Sequence, residues 1–313
     1  MKKFLVTGGA GFVGSHIVER LVSDGHDVTV FDDFSTGKFE NIAALEGAGM
    51  RVVEGDVRNA KALSKAMKGV QYVLHQAALP SVARSIDAPL ETHAVNVDGT
   101  LNVLEAAREH KRSVRRVVFA SSSSVYGDTP TLPKVETMPT APLSPYAVSK
   151  LAAENYCRAY FIAYGLETVA LRYFNVFGPR QDTDSPYAAV VPLFVKALLG
   201  RGKPVVYGDG KQTRDFTYVE NVVDANLAAC TAQKAPGNVF NIACGARVAI
   251  GGLCFMIGEI LGVEREPKLK PARSGDVRHS LADIARAEEF LGYRVRVDLR
   301  EGLERTIAWY RER

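Results

Sequence analysis

The stretch Val6-Thr7-Gly8-Gly9-Ala10-Gly11-Phe12-Val13-Gly14 constrains everything that follows it in the chain. An apolar run, Phe4-Leu5-Val6, precedes it, and Ile17, Val18 and Leu21 follow at helical spacing. Gly8, Gly11 and Gly14 therefore stand where a strand turns into a helix. Glycine there permits a tight turn, close backbone approach to a diphosphate, and a helix lying near its strand. The helix N-terminus offers free N–H groups and a positive dipole end, so Gly8, Gly11, Phe12 and Val13 are candidate cofactor contacts. A second strand, Thr29-Val30-Phe31, ends at Asp32-Asp33, with Asp32 18 residues beyond Gly14. A carboxylate there accepts hydrogen bonds from ribose hydroxyls and repels a 2′-phosphate, which points to NAD rather than NADP. The plainer alternative is a glycine-rich βα turn with no ligand.

The alternation continues down the chain. The polar loop Ser35-Thr36-Gly37 is expected to fold over the adenosine. A third strand, Met50 to Val57, carries Asp56 at its carboxyl end, placed to reach the adenine amino group with Val57 as apolar cover. A solvated turn acid is the alternative for Asp56. A helix follows from Ala60 to Met67, then a fourth strand from Val70 to Ala78. Its end, Gln76-Ala77-Ala78, is small enough for a dinucleotide to lie against the backbone. His75, on an apolar strand, reads as a packed residue. A long helical segment from Asp87 to His110 and a fifth strand from Arg115 to Ala120 complete the first half. Alternating helices and strands imply a Rossmann-like, doubly wound parallel α/β sheet, with ligands beyond the carboxyl ends of its strands.

Composition narrows the class. The 313 residues, 47% hydrophobic and 24% charged, suit a globular chain with an ample core. The net charge of +4 is scattered, so nucleic acid is not implied. No apolar run approaches a membrane span, and the apolar N-terminus is a strand. Cys157, Cys230, Cys244 and Cys254 lack metal-ligand spacing and read as reduced thiols of a cytoplasmic protein. The histidines do not cluster, so no metal site is expected.

Two features beyond the fifth strand carry chemistry. The first is the run Ser121-Ser122-Ser123-Ser124-Val125-Tyr126-Gly127. The second is Ser144-Pro145-Tyr146-Ala147-Val148-Ser149-Lys150, which opens a helix running to about Tyr164. Tyr146 and Lys150 share one helix face. A free tyrosine, with a pKa of about 10, is a poor base at neutral pH. A lysine cation one turn away, and a cationic nicotinamide, would favour the phenolate. A serine at the strand end can hydrogen-bond the same substrate oxygen. Alone, this spacing would equally suit an amphipathic helix with an exposed Tyr and Lys.

With these motifs the chain resembles the extended short-chain dehydrogenases/reductases, and specifically the NAD-dependent nucleotide-sugar 4-epimerases. Further marks are Asn96-Val97-Asp98-Gly99-Thr100, the segment Leu171 to Arg180, Arg214-Asp215-Phe216-Thr217-Tyr218-Val219 and Arg273-Ser274-Gly275-Asp276-Val277. The resemblance implies that Tyr146 is the base and acid, with Ser122 beside it and Ser123 facing the sugar. Lys150 would tune Tyr146 and hold the nicotinamide ribose. Asn96 and Tyr173 would touch the cofactor, and Tyr173 and Asn175 would lie between it and the nucleotide sugar. Pro80 departs from several relatives, which place a lysine there.

From about residue 176 the chain is expected to build a smaller, interleaved α/β substrate domain. The division is 1–175 for NAD and 176–313 for the nucleotide sugar, with segments near 215–245 returning to the first. A helix from Tyr187 to Leu199 carries Ala189 and Val190 over the nucleotide. A short strand from Pro204 to Gly208 carries Val205 and Tyr207, the latter near the uracil. The resemblance puts Arg214 and Arg273 on the diphosphate, with Asp276 alongside; either arginine alone would also pass as a surface charge. Asn238 to Cys244 is expected to rejoin the first sheet, and Leu299 to Tyr310 to form an amphipathic helix. Ser280 stands where the resemblance places a bulky tyrosine in epimerases restricted to plain sugars, so N-acetylated sugars are expected to fit. Close alternatives are a UDP-glucuronate 4-epimerase, a 4,6-dehydratase or decarboxylase, and a non-catalytic NAD sensor. Relatives pair the helices that correspond to Asp87–His110 and Tyr146–Tyr164 with their copies, which implies a homodimer.

Overall fold

The computed structural model describes residues 1–183, 188–271 and 277–312. Its centre is a seven-stranded, wholly parallel sheet: β1 Lys3–Thr7, β2 Asp27–Asp32, β3 Met50–Glu54, β4 Tyr72–His75, β5 Arg116–Ser122, β6 Thr168–Tyr173 and β7 Val239–Ile242. The order is β7-β6-β5-β4-β1-β2-β3, so the winding reverses between β1 and β4. That reversal opens the crevice in which doubly wound sheets bind ligands.

Side-chain alternation divides the core. Val6, Val30, Leu74, Val118 and Leu171 pack one sheet face against α1 (Phe12–Ser23), α8 (Val219–Thr231) and α10 (Ala285–Leu291). Leu5, Phe31, Val73, Val117 and Phe119 pack the other against α2 (Ala60–Met67), α5 (Gly99–Glu109) and α6 (Pro145–Tyr164). Burial of both faces explains why these strands read as unbroken apolar runs. A third cluster joins α7 (Val190–Leu199), α9 (Ile250–Leu261) and α11 (Leu299–Arg311) around Phe194, Leu253 and Leu303. Phe12 and Val13, at the start of α1, pack against that cluster too. β7 returns from the second half to pair with β6, so the halves interleave.

The expected segments differ from the structure in detail. The segment from Asp87 to His110 is not one helix: α3 (Val82–Asp87) ends before Pro89, which opens α4 (Pro89–His93). Proline disfavours helix at the residue before it, here Ala88. A wider turn, Ala94–Asp98, then leads into α5. β5 extends past Ala120 because Ser121 and Ser122 pair with Arg172 and Tyr173 of β6. β3 stops before Asp56, and β4 is shorter at both ends than expected. Tyr187 lies outside the described residues, and α7 begins at Val190.

A buried ion pair ties α6 to the sheet. Arg172 reaches Glu154 through Nε at 3.0 Å and Nη2 at 2.5 Å, and Ser121 Oγ donates to the same carboxylate at 2.8 Å. Both charged side chains are almost fully buried. Removing one charge strands the other, so Glu154→Gln is expected to cost about 3 kcal/mol of folding stability. Urea denaturation checks this; a loss below about 1 kcal/mol would mean that the pair relaxes into solvent.

Candidate active site

At the carboxyl end of β1 the chain turns through Gly8 at φ +67°, where a Cβ would lie 2.6 Å from the Ala77 nitrogen. At Gly14 a Cβ would lie 2.0 Å from the Gly8 carbonyl oxygen. Those two contacts fix the turn and hold α1 against it. α1 starts at Phe12 with no side-chain cap and no acid in its first turn. Its leading N–H groups and dipole therefore present an anion site.

Asp32 and Asp33 differ in their surroundings. Asp32 is buried and braces the turn, accepting from the Ala10 and Phe34 N–H groups at 2.9 Å each. Burial raises its pKa. Gly37 closes on it, since a Cβ there would meet Asp32 Oδ1 at 2.9 Å. Asp33 is exposed and accepts from Ser35 N–H and Oγ–H at 3.0 and 2.6 Å; Thr36 is exposed beside them. Asp56 is held by Arg58, whose Nε lies 2.8 Å from Oδ2, while Val57 is buried. The arginine, absent from the sequence expectations, engages the acid expected to face adenine.

Across the crevice, Gln76 Nε2 donates to Asn226 Oδ1 at 3.1 Å, and Asn226 Nδ2 donates to the Tyr173 hydroxyl at 2.7 Å. Burial pushes the Tyr173 phenol upward, so it stays neutral. Ala77 and Ala78 follow, partly buried. Asn96 is committed to the protein: it accepts from Leu79 N–H at 2.8 Å and donates to Ser149 Oγ at 3.0 Å. It thereby ties the loop after β4 to α6. His75 is a packed residue, buried between Thr7 and Thr100, with its pKa pressed down to about 3 by burial.

Tyr146 and Lys150 open α6. Ser144 Oγ accepts from Ala147 N–H at 3.2 Å, and Pro145 takes the first helical position, so the helix start is fixed just before Tyr146. Lys150 is buried, and its Nζ donates to the Ala120 carbonyl at 2.8 Å. The ammonium lies 5.0 Å from the Phe119 ring centre and 6.0 Å from that of Tyr146. Burial pushes its pKa down to about 7. Burial also raises the Tyr146 pKa, and the Ser122 hydroxyl beside it draws the value back. With its Nζ on the Ala120 carbonyl, Lys150 stands one helical turn from a phenol whose pKa burial raises in the cofactor-free chain. Ser122 caps the short turn Ser123–Tyr126, with Ser123 partly buried.

On the second half, Asn175 adopts φ +31° and donates from Nδ2 to the Asp215 carbonyl at 3.0 Å. Thr213–Arg214 pairs with Val248–Ala249, and Ser280 N–H donates to the Thr213 carbonyl at 3.0 Å, bringing Arg214 and Ser280 to one place. Arg214 Nη1 donates to the Thr213 carbonyl at 2.9 Å. Val205–Tyr207 pairs with Lys268–Lys270, and Lys270 Nζ lies 5.9 Å from the Tyr207 ring centre. Ala189 is exposed ahead of α7, and Val190 is its first residue. Arg273 and Asp276 lie outside the described residues. Asp215 is fully buried and accepts from the Cys244, Gly245 and Ala282 N–H groups at 2.9 to 3.2 Å. Only its place beside Arg214 hinted at that role. Asn226 gave no signal, because an asparagine inside an apolar helix has no visible partner in sequence.

The uncapped α1 terminus, the glycine turn and the acids ending β2 fit a dinucleotide with unmodified ribose. No cluster that could hold a metal and no helix long and apolar enough to cross a membrane occurs among the described residues. A Rossmann-like sheet with a Tyr–Lys pair and a serine at its carboxyl edge defines a short-chain dehydrogenase/reductase-like enzyme. Residues 4–243 match the NAD dependent epimerase/dehydratase family. A UDP-glucose 4-epimerase from Mycolicibacterium smegmatis is 40% identical over 99% of this chain and 98% of its own. The structure of a UDP-N-acetylglucosamine 4-epimerase from Methanobrevibacter ruminantium M1, in complex with UDP-N-acetylmuramic acid, aligns at TM-score 0.95 and 40% identity, covering 99% and 98% of the two chains. A UDP-glucuronic acid 4-epimerase from Bacillus cereus, in complex with UDP-glucuronic acid and NAD, aligns at TM-score 0.92 and 32% identity, covering 99% of each chain. The chain belongs to the NAD dependent epimerase/dehydratase family and, within it, to the NAD-using nucleotide-sugar 4-epimerases, which are isomerases.

Proposed function

We propose that the protein interconverts UDP-hexoses at C4 through a 4-keto form, acting on UDP-glucose and UDP-galactose and on their N-acetylamino counterparts. The observation that carries this is the Tyr146 phenol beside Ser122, with Lys150 one helical turn on, at the carboxyl edge of a dinucleotide sheet. When bound, NAD supplies a reversible two-electron acceptor with a cationic ring. Tyr146 takes the proton of the sugar 4-hydroxyl and later returns it. Ser122 hydrogen-bonds the same oxygen, and Ser123 lines the sugar. Lys150 holds the nicotinamide ribose, and its charge adds to that of the ring in favouring the phenolate. The glycine turn with Phe12 and Val13 takes the diphosphate of NAD, Asp32 and Asp33 its ribose, and Ser35 to Gly37, Asp56 and Val57 its adenosine. Gln76, Ala77, Ala78, Asn96 and Tyr173 shape the nicotinamide side, with Asn96 acting through Leu79 and Ser149.

Arg214 and Arg273 grip the UDP diphosphate, Asp276 stands in the same segment as Arg273 on the substrate side, and Asn175, Ala189, Val190, Val205 and Tyr207 frame the nucleotide. Tight binding at that end and loose binding at the sugar lets the keto sugar turn over without leaving. Residues 1–175 serve NAD and 176–313 mainly the nucleotide sugar. A homodimer built on α4, α5 and α6 would cover Leu90 and Ile162, which are 85% and 70% exposed. Four free cysteines suit a cytoplasmic setting. Ser123 and Ser124 supply no acid for dehydration or decarboxylation, and the small Ser280 favours an N-acetyl group over a uronate specialist.

Incubation with UDP-glucose, UDP-N-acetylglucosamine and UDP-glucuronate separately, without added reductant, tests the substrate assignment. Epimers of the first two are expected; an epimer of UDP-glucuronate alone would reassign the substrate. Ser280 is nearly buried, so tyrosine there must project into neighbouring space. Ser280→Tyr is expected to lower kcat/KM for the N-acetylated sugar by at least about a hundredfold while sparing the plain one. Equal effects on both would remove Ser280 as the gate.

A further inference from the structure

We infer that Ser124 is a positioning residue, making the Ser122 hydroxyl an obligate donor toward Tyr146. This rests on the 4-epimerase assignment above. Ser122 ends β5 in extended conformation, and its Oγ caps the turn Ser123–Tyr126. The Ser124 N–H donates to that oxygen at 3.2 Å, and the Ser124 Oγ–H donates to it at 2.9 Å. A serine oxygen has two lone pairs and one proton. With both lone pairs engaged by Ser124, Ser122 retains only its proton to offer, and before a sugar binds the polar group beside it is the Tyr146 phenol. A hydrogen bond donated to a phenolate stabilises the charged form; one accepted from a phenol stabilises the neutral form. Ser124 thus selects the first arrangement. The backbone N–H would stay in any variant, so the side-chain hydroxyl alone decides whether Ser122 regains an acceptor site.

NAD-loaded wild-type, Ser124→Ala and Ser124→Thr proteins test this by spectroscopic titration of the phenolate, with Tyr146→Phe subtracted as the blank. Ser124→Ala is expected to raise the Tyr146 pKa by about half to one unit, because the donated bond to the phenolate is no longer enforced. Its kcat should fall about three- to tenfold at neutral pH and recover as pH rises, with KM within about twofold. Ser124→Thr should restore both readouts. An Ser124→Ala titration that overlays the wild type overturns the inference, as does a threonine variant that behaves like alanine. A purely structural loss would lower thermal stability without moving the titration, and would also overturn it. Failure of the 4-epimerase assignment is distinguishable: wild-type protein would then yield no epimer from any UDP-sugar, while the titration still reports on Ser124.

Discussion

Tyr146→Phe is expected to lower kcat by about three orders of magnitude, with KM changed by no more than about threefold. The substitution deletes one oxygen and leaves the ring in place beside Lys150, so packing is kept. What disappears is, among the described residues, the group placed to take and return the sugar proton. Ser122 cannot replace it, because a serine hydroxyl without an adjacent base is too weakly acidic to ionise. Lys150 cannot either, because its ammonium is turned onto the Ala120 carbonyl. Steady-state kinetics with the epimerised sugar, with circular dichroism as a check on folding, measure the effect. Activity within tenfold of wild type would remove Tyr146 as the proton carrier.

Lys150→Met is expected to lower kcat by about a hundredfold, and it carries a signed stability effect in the NAD-free protein. The Lys150 pKa is pushed from 10.5 down to about 7 by burial. Between those values the unfolded chain binds more protons than the folded one, so wild-type stability rises with pH across that window. At its steepest the slope is about 1.4 kcal/mol per pH unit. Below about pH 7 the ammonium is charged and buried, and the cost is complete. Methionine removes the titration but leaves the Ala120 carbonyl without its donor, a penalty that does not vary with pH. The stability of Lys150→Met relative to wild type should therefore be most favourable below pH 7 and decline steadily toward pH 10. Parallel stability curves for the two proteins would mean that Lys150 keeps its ordinary pKa.

The sheet was legible because parallel strands, buried on both faces, leave apolar runs such as Val117 to Ala120. The first crossover was legible because Gly8 and Gly14 have no room for a side chain. The opening of α6 was legible in Ser144-Pro145, a cap followed by the proline best tolerated there. Side-chain commitments were not. Nothing local reveals that Asn96 ties Leu79 to Ser149 or that Glu154 meets Arg172. Such partners are chosen by tertiary packing. The same holds for Lys150, whose helical spacing from Tyr146 was visible but whose attachment to Ala120, 30 residues earlier, was not.

In the proposed reaction one site oxidises and then reduces the same carbon of the same sugar. The most direct measurement uses UDP-glucose labelled with deuterium at C4, in ordinary water. UDP-galactose that retains the whole label at C4 is expected, because the hydrogen leaves and returns without meeting solvent. Product with hydrogen at C4 from the water, or with the label lost in proportion to turnover, would contradict it.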